Sequence, residues 1–223
     1  MKKQLRSLFV FPLAFAVLLS VSGCSAGGPS EEERRQLYME NRECANWLLK
    51  LPVRGQIAYS PLEVIVSTYR DAQAPPLSVF RVDSIEEYER DPNCLQVRVT
   101  IEEVLCGRED YQGKQICLLY GIDRLEYYPS IQVNPQVMVG RRAVGCFSGE
   151  EGQYGVYPFM AFYLTEDDRL IHALGATEED VLSLIPGIPE NYADSERLGY
   201  CYTGKTLNEF KADIAACLAE REQ

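Results

Sequence analysis

A mainly β domain with flanking helices is the fold class this sequence predicts: an α+β chain with a small antiparallel β-barrel, an N-terminal helix and a C-terminal amphipathic helix. Three observations carry the expectation. About six to eight short runs rich in β-branched and aromatic residues lie between Leu62 and Leu174 with hairpin-length connections, which favours a barrel or sandwich over interleaved α/β units. No long stretch of helical periodicity separates them. Capping boxes, Ser30 with Glu33 and Thr206 with Glu209, open helices at either end.

The elements follow in order. From Ser30 a helix is expected, with Leu37, Cys44, Leu48 and Leu51 recurring at three- and four-residue steps and Trp47 beside them; Pro52 and Gly55 end it. LEVIVSTY and LSVFRV, separated by DAQAPP, read as strands. In CLQVRVTIEEVLCG, Leu95, Val97, Val99 and Ile101 alternate with Gln96, Arg98 and Thr100, the pattern of a strand with one wet face. QICLLY, VNPQVMVG, RRAVGCF and YPFMAFYL read as further strands, and RLIHAL returns after the turn TEDD. Gly107, Gly140 and Gly145 stand where a barrel needs bends. TEED at Thr177 to Asp180 caps a short helix ended by Pro186. The last helix sets Leu207, Phe210, Ile214, Cys217 and Leu218 on one face. The organisation is therefore read as a signal peptide over 1–23, a tether over 24–30, a helix over 31–55, a barrel over 56–175 and a helical segment over 176–223.

The first residues address location. Lys2, Lys3 and Arg6 precede an uncharged apolar stretch from Leu8 to Val21, interrupted by Pro12. That stretch falls short of the roughly 20 residues a membrane-spanning helix takes, and with its basic head it has the form of a secretory signal peptide. Val21, Ser22, Gly23 and Cys24 resemble the lipobox of bacterial lipoproteins. The resemblance implies that the Cys24 thiol receives a diacylglyceryl group and that the peptide is cut before it. The alternative is a secreted protein with Cys24 as a disulfide partner. Two acyl chains anchor stably where one does not, and six residues from Ser25 to Ser30 span at most about 20 Å. The expected location is the bacterial cell envelope, on the outer side of a membrane.

Composition narrows the partners. The chain of 223 residues carries a formal net charge of −11, and residues 1–23 hold three of its 22 basic residues and none of its 33 acids. A surface this acidic argues against nucleic acid, whose binding rests on Lys and Arg contacts. The partners expected are membrane lipid through acylated Cys24 and an envelope protein or small ligand. No cofactor is expected.

Beyond Cys24, seven cysteines remain: Cys44, Cys94, Cys106, Cys117, Cys146, Cys201 and Cys217. In an exported chain they read first as disulfide material. Cys106 with Cys117 or Cys146, as sheet neighbours, and Cys201 with Cys217, clipping the last helix, are the candidate pairs. Buried thiols serving as small hydrophobes are the alternative. There is no CxxC pair and no Cys/His cluster, so metal-ribbon and thioredoxin-type readings lack support.

At the level of whole elements, VLCG, QICLLY, the G-R-R step, YLTEDDRL and TGKTLNEFKADI, from Leu95 to Ala219, resemble bacterial lipoproteins with an OB-like or netrin-module-like β-barrel. That resemblance implies the barrel and carries over no catalytic residue. A search for chemistry finds His172, the only histidine, on the face of Leu170 and Leu174, where a core role outweighs a catalytic one. The acidic pairs Glu102 and Glu103, Glu150 and Glu151, Asp167 and Asp168, and Glu178 and Glu179 fall at turns, strand ends and helix starts, where carboxylates are solvated or capping. Tyr120, Tyr127, Tyr128, Tyr154 and Tyr157 form a candidate binding surface, with core filling as the alternative. The function expected is that of a lipid-anchored binding or structural protein. The alternative is an envelope hydrolase or transpeptidase pairing a cysteine with His172.

Overall fold

The computed structural model describes residues 28–51, 62–71, 73, 75–122, 133–157, 160–184 and 199–220. Its centre is a six-stranded, wholly antiparallel sheet. The strands β1 (Leu77–Glu87), β2 (Cys94–Cys106), β3 (Gln115–Gly121), β4 (Arg142–Gly145), β7 (Phe162–Leu164) and β8 (Leu170–His172) lie in the order β3-β2-β1-β4-β7-β8. A two-stranded ribbon, β5 (Phe147–Ser148) with β6 (Gly155–Val156), stands beside it. The helices are α1 (Glu31–Trp47), α2 (Leu62–Arg70), α3 (Glu178–Leu184) and α4 (Leu207–Glu220).

Among the described residues the six strands form an open sheet, so the expected OB-like barrel is not confirmed. β3 and β8 sit at opposite ends of the strand order, and each edge is covered by irregular chain instead of pairing with the other. Tyr154 bonds to the backbone of Cys117 and Leu119 along β3, and Gly204 and Lys205 bond to Leu170 of β8. Edges blocked in this way offer no template for a further strand at those positions.

Alternation along the strands divides the core in two. Phe80, Val82, Val97, Val99, Ile101, Ala143, Tyr163 and Ile171 pack on one face against Tyr38, Ala45 and Trp47 of α1 and Leu48, Leu49 and Leu51 after it. Leu77, Val79, Cys106, Val144, Phe162, Leu164 and Leu170 pack on the other against α2 and α4. The wet-face expectation for β2 holds: Val97, Val99 and Ile101 are buried, and Gln96, Arg98 and Thr100 are half-exposed.

Both predicted capping boxes form. Ser30 Oγ accepts from Glu33 N at 3.3 Å while Glu33 Oε2 accepts from Ser30 N at 2.8 Å. Thr206 and Glu209 reproduce the pair at α4, and Thr177 with Asp180 does so at α3. Two segments read as strands are helical. LEVIVSTY forms α2, because Leu62, Ile65, Val66 and Tyr69 are buried at helical spacing, and Thr68 Oγ1 donates back to Val64 O at 2.8 Å, the local bond open to Thr within a helix. VNPQVMVG contains a 3-10 turn over Pro135–Met138, started by Pro at its first turn and by Asn134, whose side chain accepts from Gln136 N. The N-terminal helix ends at Trp47, followed by a 3-10 turn over Leu48–Lys50; Pro52 and Gly55, expected to end it, lie outside the described residues.

The domain also fixes where its N-terminal approach lies. Gly204 has a φ of +87°, and a Cβ there would stand 2.9 Å from Pro29 Cγ and 3.2 Å from Leu37 Cδ1. Glycine thus satisfies both a left-handed backbone and a close approach. Gly28 and Pro29 line a groove with Arg169, Thr206 and Glu209, so the chain preceding α1 is seated beside β8.

Candidate functional site

The face of the sheet that α2 and α4 cover is apolar only at one end. Farther along β1 and β2 it turns polar. Register sets Gln115, Thr100, Arg81 and Arg142 side by side across β3, β2, β1 and β4, with Cys117 and Arg98 as the next cross-strand pair. This half-face is partly open to solvent.

Asp83 is its centre. The β1–β2 register slips between Val82 and Ser84, so Asp83 is the extra residue of a bulge, a feature that re-aims a side chain. Its carboxylate accepts from Thr100 Oγ1 at 2.6 Å, Gln115 Nε2 at 3.1 Å and Arg81 at 3.0 Å. Burial raises the carboxyl pKa, but the Thr100, Gln115 and Arg81 hydrogen bonds outweigh it and hold the group below the usual carboxylate value. Next to it, Glu102 accepts from Arg142 Nε at 2.9 Å and lies 3.5 Å from Arg81. Arg142 also donates to Asp168.

Asp168 reaches this network from the β7–β8 turn. Thr165 and Arg169 close the turn by hydrogen bonds, and Asp168 takes a φ of +59° at its third position, the left-handed site of a three-residue hairpin loop, which Asp tolerates better than most residues. Asp167 in the same turn accepts from Thr165 Oγ1 and Arg169 Nε, and these bonds lower its pKa. At the border with α4, Lys211 Nζ lies 2.7 Å from Glu103.

Together these groups hold a fixed pattern of donors and acceptors across four strands. Cys117 receives a hydrogen bond from Gln96 Nε2 at 3.0 Å, and burial raises its thiol pKa, with the Gln96 bond opposing. Exposed and half-exposed pairs of this kind each contribute about 0–1 kcal/mol. Their value lies in holding donors and acceptors in a fixed pattern.

The other expected site residues are placed as follows. His172 lies on the α4 face, wholly buried, its ring 5.3 Å from that of Phe162. Tyr120, Tyr154 and Tyr157 are buried, which corrects the proposed binding surface. Tyr120 stacks on Trp47 with ring centroids 5.7 Å apart, and its hydroxyl pKa is pushed upward by burial. Tyr127 and Tyr128 lie outside the described residues, as does Cys24.

The seven remaining cysteines are thiols, not disulfides. Cys106 pairs with Leu77 of β1 from the β2 side, and Cys146 follows Gly145, which pairs with Ser78 from the β4 side, so the two cysteines flank β1. Two strand spacings of about 4.8 Å separate them, beyond the usual disulfide Cα range of roughly 4.4–6.8 Å. Cys117 pairs with Arg98, eight residues along β2 from Cys106. Cys201 lies in a 3-10 turn over Tyr200–Tyr202 and Cys217 on α4, both partly buried against the second core. Burial raises the thiol pKa of Cys106, Cys217 and, most strongly, Cys146.

Among the described residues no group of three or more His, Cys, Asp or Glu side chains is arranged to hold a metal ion, and no helix is long and apolar enough to cross a membrane. Sequence reasoning missed Arg81, Asp83, Gln115 and Arg142. The alternation of Gln96, Arg98 and Thr100 marked the face they share, but a bulge that adds Asp83 to it leaves no periodic signal. Set against family models, curated proteins and solved structures, the chain matches none.

Proposed function

We propose that this chain is a lipid-anchored binding or structural protein of the bacterial envelope, held on the outer side of a membrane by acyl chains on Cys24. The observation that carries the reading is the seat of Gly28 and Pro29 beside Gly204. Cys24 stands four residues before Gly28, so the domain starts within about 14 Å of the acylated sulfur. A tether this short suits a protein that works at the membrane surface. The basic head, apolar body and VSGC end of residues 1–24 support the same reading, and two acyl chains at about 0.8 kcal/mol per buried methylene supply the attachment.

Binding, as opposed to catalysis, is favoured by the site. Its charged groups are satisfied by one another, and the His172 ring is wholly buried, out of reach of an external substrate.

The test is metabolic labelling with an alkynyl fatty acid in a bacterial host. The native chain is expected to take up label and sediment with membranes, and Cys24→Ser to lose both. Equal labelling of the two chains would refute the proposal.

A further inference from the structure

The seat of the tether also orients the domain. We infer that the end built by the β8 edge, the first turn of α1 and the first turn of α4 faces the lipid headgroups, and that the β3 edge stands away from them. This rests on the lipid anchor proposed above.

Reach of the tether sets the orientation. Pro29 packs on Gly204, and Gly204, Lys205 and Thr206 run antiparallel along the outer edge of β8. The chain therefore leaves the domain at the β8 side of the sheet. Four residues limit the distance from Cys24 to that point to about 14 Å. In contrast, β3 lies five strand spacings from β8, about 24 Å across the sheet. The β8 edge stays within the tether's reach of the bilayer in every orientation, whereas the β3 edge approaches only if the domain lies flat.

Charge does not draw this end down. Glu33, Glu40 and Glu209 line the groove at the exit point with Arg169 among them, so attraction to anionic headgroups is weak and the short covalent tether sets the arrangement. The contrast between the two edges is then insensitive to salt.

The experiment uses the full acylated chain, purified from membranes and reconstituted in vesicles of phosphatidylcholine and phosphatidylglycerol. Benzoyl-phenylalanine replaces one exposed residue at a time, Glu32 or Asn208 at the β8 end and Gln112 or Glu150 beside β3. After irradiation, lipid adducts are read by mass. Because of the difference in reach, adducts at Glu32 and Asn208 are expected to exceed those at Gln112 and Glu150 by about fivefold or more. A flexible insertion of about twelve Gly and Ser residues after Ala26 is expected to erase most of that ratio. A protein that floats with the vesicles but gives equal or reversed yields overturns the orientation and leaves the anchor standing. A protein that stays in the aqueous fraction overturns the anchor and the orientation with it.

Discussion

Replacing Gly204 with alanine tests the contact on which both the anchor geometry and the orientation depend. At a φ of +87°, an L-residue costs about 1–2 kcal/mol relative to glycine. The new Cβ would stand 2.9 Å from Pro29 Cγ and 3.2 Å from Leu37 Cδ1, a crowding that costs about 1–3 kcal/mol when the neighbours cannot withdraw. The expected loss is therefore about 2–5 kcal/mol. For a domain of this size it lowers Tm by about 4–20 °C. Urea unfolding followed by tryptophan fluorescence reads it directly, since Trp47 is the only tryptophan and is buried against Tyr120. A second variant separates the two terms. Pro29→Ala in the Gly204→Ala background removes the closest steric partner, the Cγ at 2.9 Å, and leaves Leu37 Cδ1 and the residue 29 Cβ at 3.2 Å, so the loss is expected to shrink toward the backbone share of about 1–2 kcal/mol. A Gly204→Ala protein within about 0.5 kcal/mol of the native one, or a loss that Pro29→Ala leaves unchanged, refutes the seat.

Asp83→Asn probes the polar half-face. Because the folded-state pKa of Asp83 is lowered, its contribution is present above the unfolded value of about 3.9 and is lost as pH falls through the folded value. The native chain is therefore expected to lose stability more steeply than the variant below about pH 4 in urea titrations, while at neutral pH the variant is about 1 kcal/mol less stable. Parallel pH profiles contradict the network. In the β7–β8 turn, Asp168→Asn is expected to change stability by no more than about 0.5 kcal/mol, since the left-handed conformation is kept and a half-exposed pair is lost. Asp168→Val, strained at the same φ, is expected to cost about 1–2 kcal/mol by the same unfolding assay. Alkylation without reductant in denaturant, read by intact mass, is expected to modify all seven thiols from Cys44 to Cys217; in the native protein Cys146, fully buried with a strongly raised pKa, reacts last. Fewer modified sites reveal a disulfide.

Local chemistry made much of the fold legible. The capping boxes at Ser30 and Thr206 and the alternation from Leu95 to Ile101 are signals a few residues long, and the structure repeats them. LEVIVSTY misleads because its β-branched composition points to a strand while its burial, at Leu62, Ile65, Val66 and Tyr69, follows helical spacing; tertiary packing decided between them. Closure of the sheet was not legible at all. Strand count and hairpin lengths are shared by barrels and open sheets, and the choice depends on what covers the β3 and β8 edges, here Tyr154 and Gly204–Thr206, segments with no strand pattern of their own. For the candidate site, sequence gave the wet face of β2 but not its partners, since Arg81, Asp83 and Arg142 reach it through register and a bulge. The tyrosines drew attention by their density, and burial of Tyr120, Tyr154 and Tyr157 shows them filling the core.

The central claim is the identity of the mature N-terminus. Mass spectrometry of the N-terminal peptide from membrane-purified protein tests it most directly. The account predicts a chain that begins at Cys24 and carries a thioether-linked diacylglycerol on its sulfur. A chain that retains residues 1–23, or one that begins elsewhere with Cys24 absent or unmodified, contradicts it.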